Sequence, residues 1–239
     1  MPLLEGKGIT KSFGGLAAIA NVDFHVDSGE IVGLIGPNGA GKTTLFNMVS
    51  GALSPRSGII KFKDKNITGL RPDRICKIGI ARTFQSVKIF GRMTVFDNVR
   101  VASLFGVGDK TASSGRLSDI TAILEFVDLN KEKDNLAADL TLVRQKQLEV
   151  ARALATRPEL LLLDEIMAGL NVSEITQAMD LVKRIRQSGI TVFMIEHVMK
   201  AIMGMCDRII VLHHGEKIAE GTPQAIADNK TVVEVYLGE

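Results

Sequence analysis

An excess of charge of either sign is what this chain most plainly lacks. Its 29 lysines and arginines stand against 27 aspartates and glutamates, a net charge of +2 over 239 residues. That balance leaves no broad basic footprint, so no nucleic-acid partner is expected. Cysteine is scarce. Cys76 and Cys206 lie far apart without metal-ligand spacing, and they fit a reduced cytosolic protein with two incidental thiols. No apolar run approaches the ~18 residues needed to cross a bilayer. The opening MPLLEGKGIT lacks the layout of a secretory leader, and there is no internal repeat. The expectation is a soluble chain whose link to any membrane runs through a partner. Hydrophobic residues make up 46%, enough for a substantial core and too many for a disordered tail.

Against these absences stand Gly36-Pro37-Asn38-Gly39-Ala40-Gly41-Lys42-Thr43-Thr44. They spell G-x-x-x-x-G-K-[ST], the phosphate-binding loop. The apolar run Ile31-Val32-Gly33-Leu34-Ile35 precedes it and reads as a buried strand; a helical pattern over 44–49 follows. The glycines let successive backbone N–H groups turn toward phosphate oxygens, and the helix presents its positive end to the same anion. Lys42 is expected to reach the β- and γ-phosphates of ATP, and the Thr43 hydroxyl to ligate Mg2+. A glycine-rich turn with a chance lysine would not need this strand–loop–helix setting.

Spacing of apolar residues divides the rest. Leu4, Ala18, Val22, Phe24 and Val26 recur between polar residues and suggest antiparallel strands with one buried face. A turn cluster at 53–58 leads into a strand over 59–63. From 95 to 151 the character is helical, with a soft stretch at 106–115. Strands are then expected at 160–164, 191–195 and 208–213, with helices at 174–187 and 198–203. Alternation of this kind predicts a mainly parallel sheet with helices on both faces.

The apolar run 160–163 ends in Asp164-Glu165. Carboxylates at the carboxyl end of such a strand fall beside the phosphate loop. Asp164 is expected to hold magnesium, and Glu165 to orient and polarise an attacking water. His197 ends the strand run 192–195, where it would reach the γ-phosphate. Gln85, after the apolar run 78–81, is placed to sense magnesium and the attacking water.

Taken in order, the phosphate loop, Phe84-Gln85, a helical lobe, Asp164-Glu165, Ala168-Gly169-Leu170-Asn171 and His197 resemble the nucleotide-binding subunit of an ABC transporter, over essentially the whole chain. The resemblance implies a P-loop NTPase (RecA-like) α/β core with an antiparallel β-subdomain, formed by residues 1–94 and 152–239, and an inserted α-helical subdomain over 95–151. It makes these segments the Walker A loop, Q-loop, Walker B strand with catalytic Glu165, D-loop and H-loop. Phe13 matches the family's adenine-stacking aromatic; its other reading is a core phenylalanine. A head-to-tail dimer with two sandwiched ATP molecules is implied, driving two integral-membrane permease subunits, with a periplasmic or extracellular solute-binding protein engaged indirectly. The chain itself is then expected to be cytoplasmic and peripheral on the inner face of the cell membrane.

One segment departs from the family. The signature L-S-G-G-Q is here Leu140-Thr141-Leu142-Val143-Arg144. Thr141 keeps a hydroxyl for the partner's γ-phosphate. Val143 replaces the second glycine, and a β-branched residue resists positive φ and holds amides away from phosphate. Arg144 brings a charge that would in part compensate. Since each signature serves the other subunit's nucleotide, a heterodimer with one strong and one weak site is favoured; a homodimer that tolerates Val143 stays open. Lys11-Ser12-Phe13-Gly14-Gly15-Leu16, Ala81-Arg82-Thr83-Phe84-Gln85 and the final residues 234–239 resemble the branched-chain amino acid uptake subfamily, with urea and amide importers close by. The stretch 85–97 mixes apolar and basic residues and suits docking of a membrane subunit's helix, or packing of the two lobes, or both. The other functional classes are a soluble ABC ATPase outside transport and a nucleotide-binding regulator with low turnover.

Overall fold

The computed structural model describes residues 2–107 and 119–237. The soft stretch expected at 106–115 lies, from 108 on, outside the described residues.

Two long strands, β1 (Pro2–Phe13) and β2 (Leu16–Asp27), pair antiparallel around Gly14-Gly15. Ile9, Ile19, Val22, Phe24 and Val26 are buried between exposed or half-exposed neighbours, as a sheet with one dry face requires. β4 (Ser57–Phe62) pairs with the far side of β1 and carries the short β5 (Lys65–Asn66), giving a four-stranded sheet in the order β2-β1-β4-β5.

The second sheet has six strands in the order β10-β9-β3-β8-β7-β6. Its centre is β3 (Ile31–Ile35), flanked in parallel by β8 (Thr191–Ile195) and β9 (Arg208–His213). Beyond β8 lie β7 (Leu160–Asp164) and β6 (Ile80–Arg82), also parallel; β10 (Glu216–Gly221) closes the other edge antiparallel. The apolar runs are continuous because both faces are covered. Ile31, Leu161, Leu163, Val192 and Met194 turn to one hydrophobic cluster, while Val32, Leu34, Leu160, Leu162 and Phe193 turn to the other.

Helices cover these faces. α1 (Lys42–Val49) packs in the cluster shared with the first sheet: Phe193 lies 6.0 Å from Phe24 and 4.9 Å from Phe46, ring centre to ring centre. That aromatic contact seats the helix that follows the phosphate loop against both sheets. The short α2 (Pro72–Lys77) precedes β6. α3 (Val95–Ser103), α4 (Ile120–Phe126) and α5 (Leu142–Ala155) pack together through Val95, Val99, Ile123, Leu124, Leu148 and Ala151. α5 runs past residue 151, so the helical segment and the core share one continuous rod. α6 (Val172–Gln187), α7 (Met199–Met205), α8 (Pro223–Ala227) and α9 (Lys230–Leu237) complete the chain.

Six of the named elements escape the periodicity: α2, β5, β6, β10, α8 and α9. β6 has only three residues, and β10 carries Glu216, Lys217 and Glu220, the charged composition that protects a sheet edge and hides it from an apolar pattern.

Candidate functional site

Backbone geometry builds the phosphate loop. Gly36 has φ 150°, and a Cβ there would lie 2.1 Å from the Leu212 carbonyl oxygen. Gly41 has φ 101°, and its Cβ would meet the Ala18 carbonyl oxygen at 2.3 Å. Only glycine fits either place. Gly41 is also the N-cap of α1, and no side chain caps that end among the described residues, so its first-turn amides are available to an anion. Lys42 Nζ donates to the Gly36 and Pro37 carbonyls at 2.6 and 2.8 Å, buried beneath the loop.

The loop faces a cavity of 230 Å³ lined by Ala18, residues 38–44, Gln85, Glu165 and His197. Five places along the chain thus share one space; three of them, the loop, Glu165 and His197, follow β3, β7 and β8, which lie adjacent in the sheet. Glu165 is the meeting point. Its N–H donates to the Ile195 carbonyl at 2.9 Å, and its backbone has φ 52°, an uncommon left-handed conformation for a non-glycine residue. Gln85 Nε2 donates to Glu165 Oε2 at 2.8 Å, and His197 Nε2 lies 3.0 Å from Oε1. The carboxylate is held from both sides, with the phosphate loop opposite.

Asp164 sits deeper, 1% exposed in its side chain. Arg82 Nη2 donates to its Oδ2 at 2.7 Å, while Arg82 Nη1 binds Asn47 Oδ1 and Ser50 Oγ of the α1 end at 2.6 and 3.0 Å. The Asp164 N–H donates to Thr83 Oγ1. Asp164 Oδ1 is buried without a hydrogen-bond partner. A buried unpartnered carboxylate oxygen suits a cation or its water shell, so Asp164 fits a magnesium ion by its chemistry, although Thr43 lines the cavity and Asp164 does not. No cluster of three or more His, Cys, Asp or Glu able to hold a metal occurs among the described residues; a nucleotide-bound magnesium, which takes few protein ligands, needs none.

The loop after β7 is gripped by groups that periodicity passes over. Lys146, buried on α5, donates to the carbonyls of Glu165 at 3.3 Å and Ala168 at 2.5 Å. Glu196 Oε1 accepts the Met167 N–H at 2.8 Å. Burial pushes the Glu196 carboxyl up to about 7, and burial lowers Lys146 against the pull of Glu196, Glu149 and Glu165. Their signal in the sequence is faint: Lys146 and Glu149 are charged residues one turn apart on the apolar face of α5.

The signature residues lie outside this cavity. Thr141 is the N-cap of α5, its Oγ1 accepting from the Arg144 N–H at 3.5 Å. Arg144 turns back toward its own lobe: Nη1 donates to the Asp128 carbonyl at 2.8 Å and Nε lies 3.4 Å from Glu132. Phe13 ends β1 at the hairpin tip, 50% exposed, with Lys11 Nζ 5.6 Å from its ring centre; it is not in the core and does not line the cavity.

After Gln85 the chain is stapled to α5. Glu149 Oε1 accepts the Lys88 N–H at 3.0 Å, and Arg152 donates to the Lys88 carbonyl while lying 4.7 Å from the Phe90 ring centre. Val95 is buried, Ile89 and Phe96 pack against the core, and Phe90 stays half-exposed. Beside them opens a groove of 380 Å³ between α2, the end of α3 and α5, lined by Ile75, Cys76, Phe84, Lys88, Phe105 and Arg152 among others. Most of its apolar wall comes from outside 85–97.

Comparison with known proteins shows the family. Residues 19–168 match the family described as ABC transporter, and residues 216–239 match that described as branched-chain amino acid ATP-binding cassette transporter. The chain is 41% identical to the high-affinity branched-chain amino acid transport ATP-binding protein LivG of Escherichia coli (strain K12), over 100% of this chain and 98% of that protein. It is 33% identical to the lipopolysaccharide export system ATP-binding protein LptB of the same strain, with the same coverage. The crystal structure of the ADP conformation of MJ1267, an ATP-binding cassette of an ABC transporter, is similar at a TM-score of 0.89 and 31% identity, over 100% of both chains.

Proposed function

Because the chain belongs to the ABC transporter family, as one of its ATP-binding cassettes, we propose that it binds ATP with Mg2+, hydrolyses it with Glu165 as base, and powers uptake of branched-chain amino acids or related amino acids and amides through two separate membrane permease subunits. The observation that carries this reading is Glu165, held by Gln85 and His197 across the cavity from the phosphate loop.

The chemistry follows from the residues. Loop amides and Lys42 bind the phosphates and balance their charge. Thr43, Asp164 through Oδ1, and Gln85 would hold magnesium, which when bound neutralises phosphate charge and orients the γ-phosphate. Glu165 takes the proton of the attacking water, while His197 and Gln85 fix its carboxylate. Phe13 offers an exposed ring for the adenine. Two supports favour branched-chain substrates: identity is higher to LivG than to the exporter subunit LptB, and the C-terminal match is to the branched-chain family. The groove beside Phe84 and Phe105 is the docking place for a membrane subunit's cytoplasmic helix, which puts the chain on the inner face of the membrane.

The cassette works as a dimer, and a heterodimer is favoured. Val143 stands in the signature, and Arg144 is engaged within its own lobe by Glu132 and Asp128. The test is ATP hydrolysis by the chain alone, mixed with candidate partner cassettes, and as Glu165→Gln. Turnover that appears on mixing and vanishes with Glu165→Gln supports the heterodimer with this chain owning the competent site. Full cooperative turnover by the chain alone refutes it and leaves a homodimer. Tight ATP binding with no phosphate release in any mixture marks a low-turnover regulator, the reading that the altered signature also favours.

A further inference from the structure

We propose that Lys146 is a positioning residue that locks the loop bearing Glu165 to the helix bearing the altered signature, so that the geometry of this chain's own base depends on where its own signature helix sits. The inference rests on the ATPase reading above and goes beyond it by joining the two half-sites of one chain.

Four grips on one short loop carry it. Lys146 Nζ donates to the Glu165 and Ala168 carbonyls at 3.3 and 2.5 Å. Glu196, from the end of β8, accepts the Met167 N–H at 2.8 Å. The Leu142 side chain reaches over Gly169, its Cδ2 3.6 Å from where a Cβ would stand there. Leu142 and Lys146 are four residues apart, so they lie on the same face of α5. The Glu165 and Ala168 carbonyls and the Met167 N–H are therefore held, and three of the four grips come from α5. Glu165 carries a left-handed backbone (φ 52°), a conformation that is strained for a non-glycine residue and persists only where neighbours impose it. A cation on the Glu165 carbonyl is such an imposition. An ammonium buried merely to fill space would not need two carbonyls of one loop, and Lys146 Nζ reaches both of them.

The consequence is directional. A pull on the N-terminal end of α5, which in the dimer faces the partner's nucleotide, is delivered through Lys146 to the backbone of Glu165. Occupancy of one ATP site then changes the aim of the base in the other.

The experiment compares Lys146→Met and Lys146→Arg with the parent chain. Hydrogen exchange of the amides of residues 165–170 is measured first, without nucleotide. Lys146→Met should speed it at least tenfold and Lys146→Arg should restore it. Unchanged exchange in Lys146→Met overturns the proposal, whatever the ATPase assay gives. In the partner mixture that hydrolyses ATP, Lys146→Met should lower kcat at least tenfold with KM within twofold, rescued by Arg. Loss of kcat and a parallel rise in KM mark a general structural defect and overturn it too. Absence of turnover in the parent chain under all mixtures instead defeats the ATPase reading and leaves the exchange result to decide. Should Lys146→Met fail to fold, Leu142→Ala, a half-exposed position, must quicken exchange at Gly169 and Leu170 several-fold; no change there refutes the coupling to α5.

Discussion

Glu165 and its two neighbours divide one task. Gln85 and His197 each hold one oxygen of the Glu165 carboxylate, the proposed base. Glu165→Gln preserves size and one acceptor while removing the base, so turnover should fall by about 10²–10⁴, the share general-base catalysis supplies, with ATP affinity within twofold by fluorescent-nucleotide titration. A parallel loss of affinity would show that Glu165 instead shapes the binding site. Glu196 makes a separate prediction about stability. Its carboxyl titrates at about 7 in the fold, against an ordinary 4.5. Being raised, this pKa gives a contribution that is complete below about pH 4.5 and is lost as pH rises through 7. Glu196→Gln cannot ionise, so its unfolding free energy relative to the parent should climb between pH 5 and 8, by up to about 3 kcal/mol at about 1.4 kcal/mol per unit. Urea unfolding across that range checks it; a gap independent of pH would rule out the buried ionisation. Glu165 and Asp164 were legible in the sequence because a strand of leucines points at them. Glu196 and Lys146 were not, since their meaning lies in which carbonyl or amide they reach across a sheet edge.

Elements carry the next level. The strands read cleanly because both faces of the central sheet are buried, so Ile31, Leu160 and Val192 each begin an unbroken apolar run. The helix ends read less cleanly. α6 starts at a reciprocal cap: Asn171 Oδ1 accepts the Glu174 N–H at 3.0 Å, and Glu174 Oε2 accepts the Asn171 N–H at 2.8 Å. This cap extends the helix two residues ahead of the start at 174 that apolar spacing suggested. Asn171→Ala should cost about 1 kcal/mol, read as a lowered urea midpoint with unchanged m; no shift would mean that packing alone fixes α6. The N-cap of α5 keeps its hydroxyl at Thr141, but Val143 and Arg144 give that helix end a different chemistry. Restoring Val143→Gly with Arg144→Gln should raise the steady-state turnover of the chain on its own several-fold. A double variant no faster than the parent would show that the altered signature is not the weak point.

For the whole molecule, the groove was the least legible feature. Its wall gathers residues from α2, the end of α3 and α5, so no window of sequence contains it; residues 85–97 supply Lys88 and the staples behind the wall, and much less of the wall itself. Phe105, exposed in the isolated chain, should be covered in the assembled transporter. Phe105→Glu ought to leave ATP affinity as it is and to abolish co-purification with the membrane subunits; retention of the complex would place the docking surface elsewhere.

The strand order has a consequence for how the molecule is made. β3 and the phosphate loop leave the ribosome early, yet both neighbours of β3 lie beyond residue 190. At about 5–20 residues per second, the nascent chain waits about 10–35 s before β9 is complete. Until β8 emerges, Ile31, Val32, Leu34 and Ile35 have neither of the parallel strands that flank them, and the nucleotide cavity lacks His197. Exposed apolar strand surface of this kind favours aggregation, and a chain interrupted before the last third holds a complete phosphate-loop sequence without Glu165 or His197.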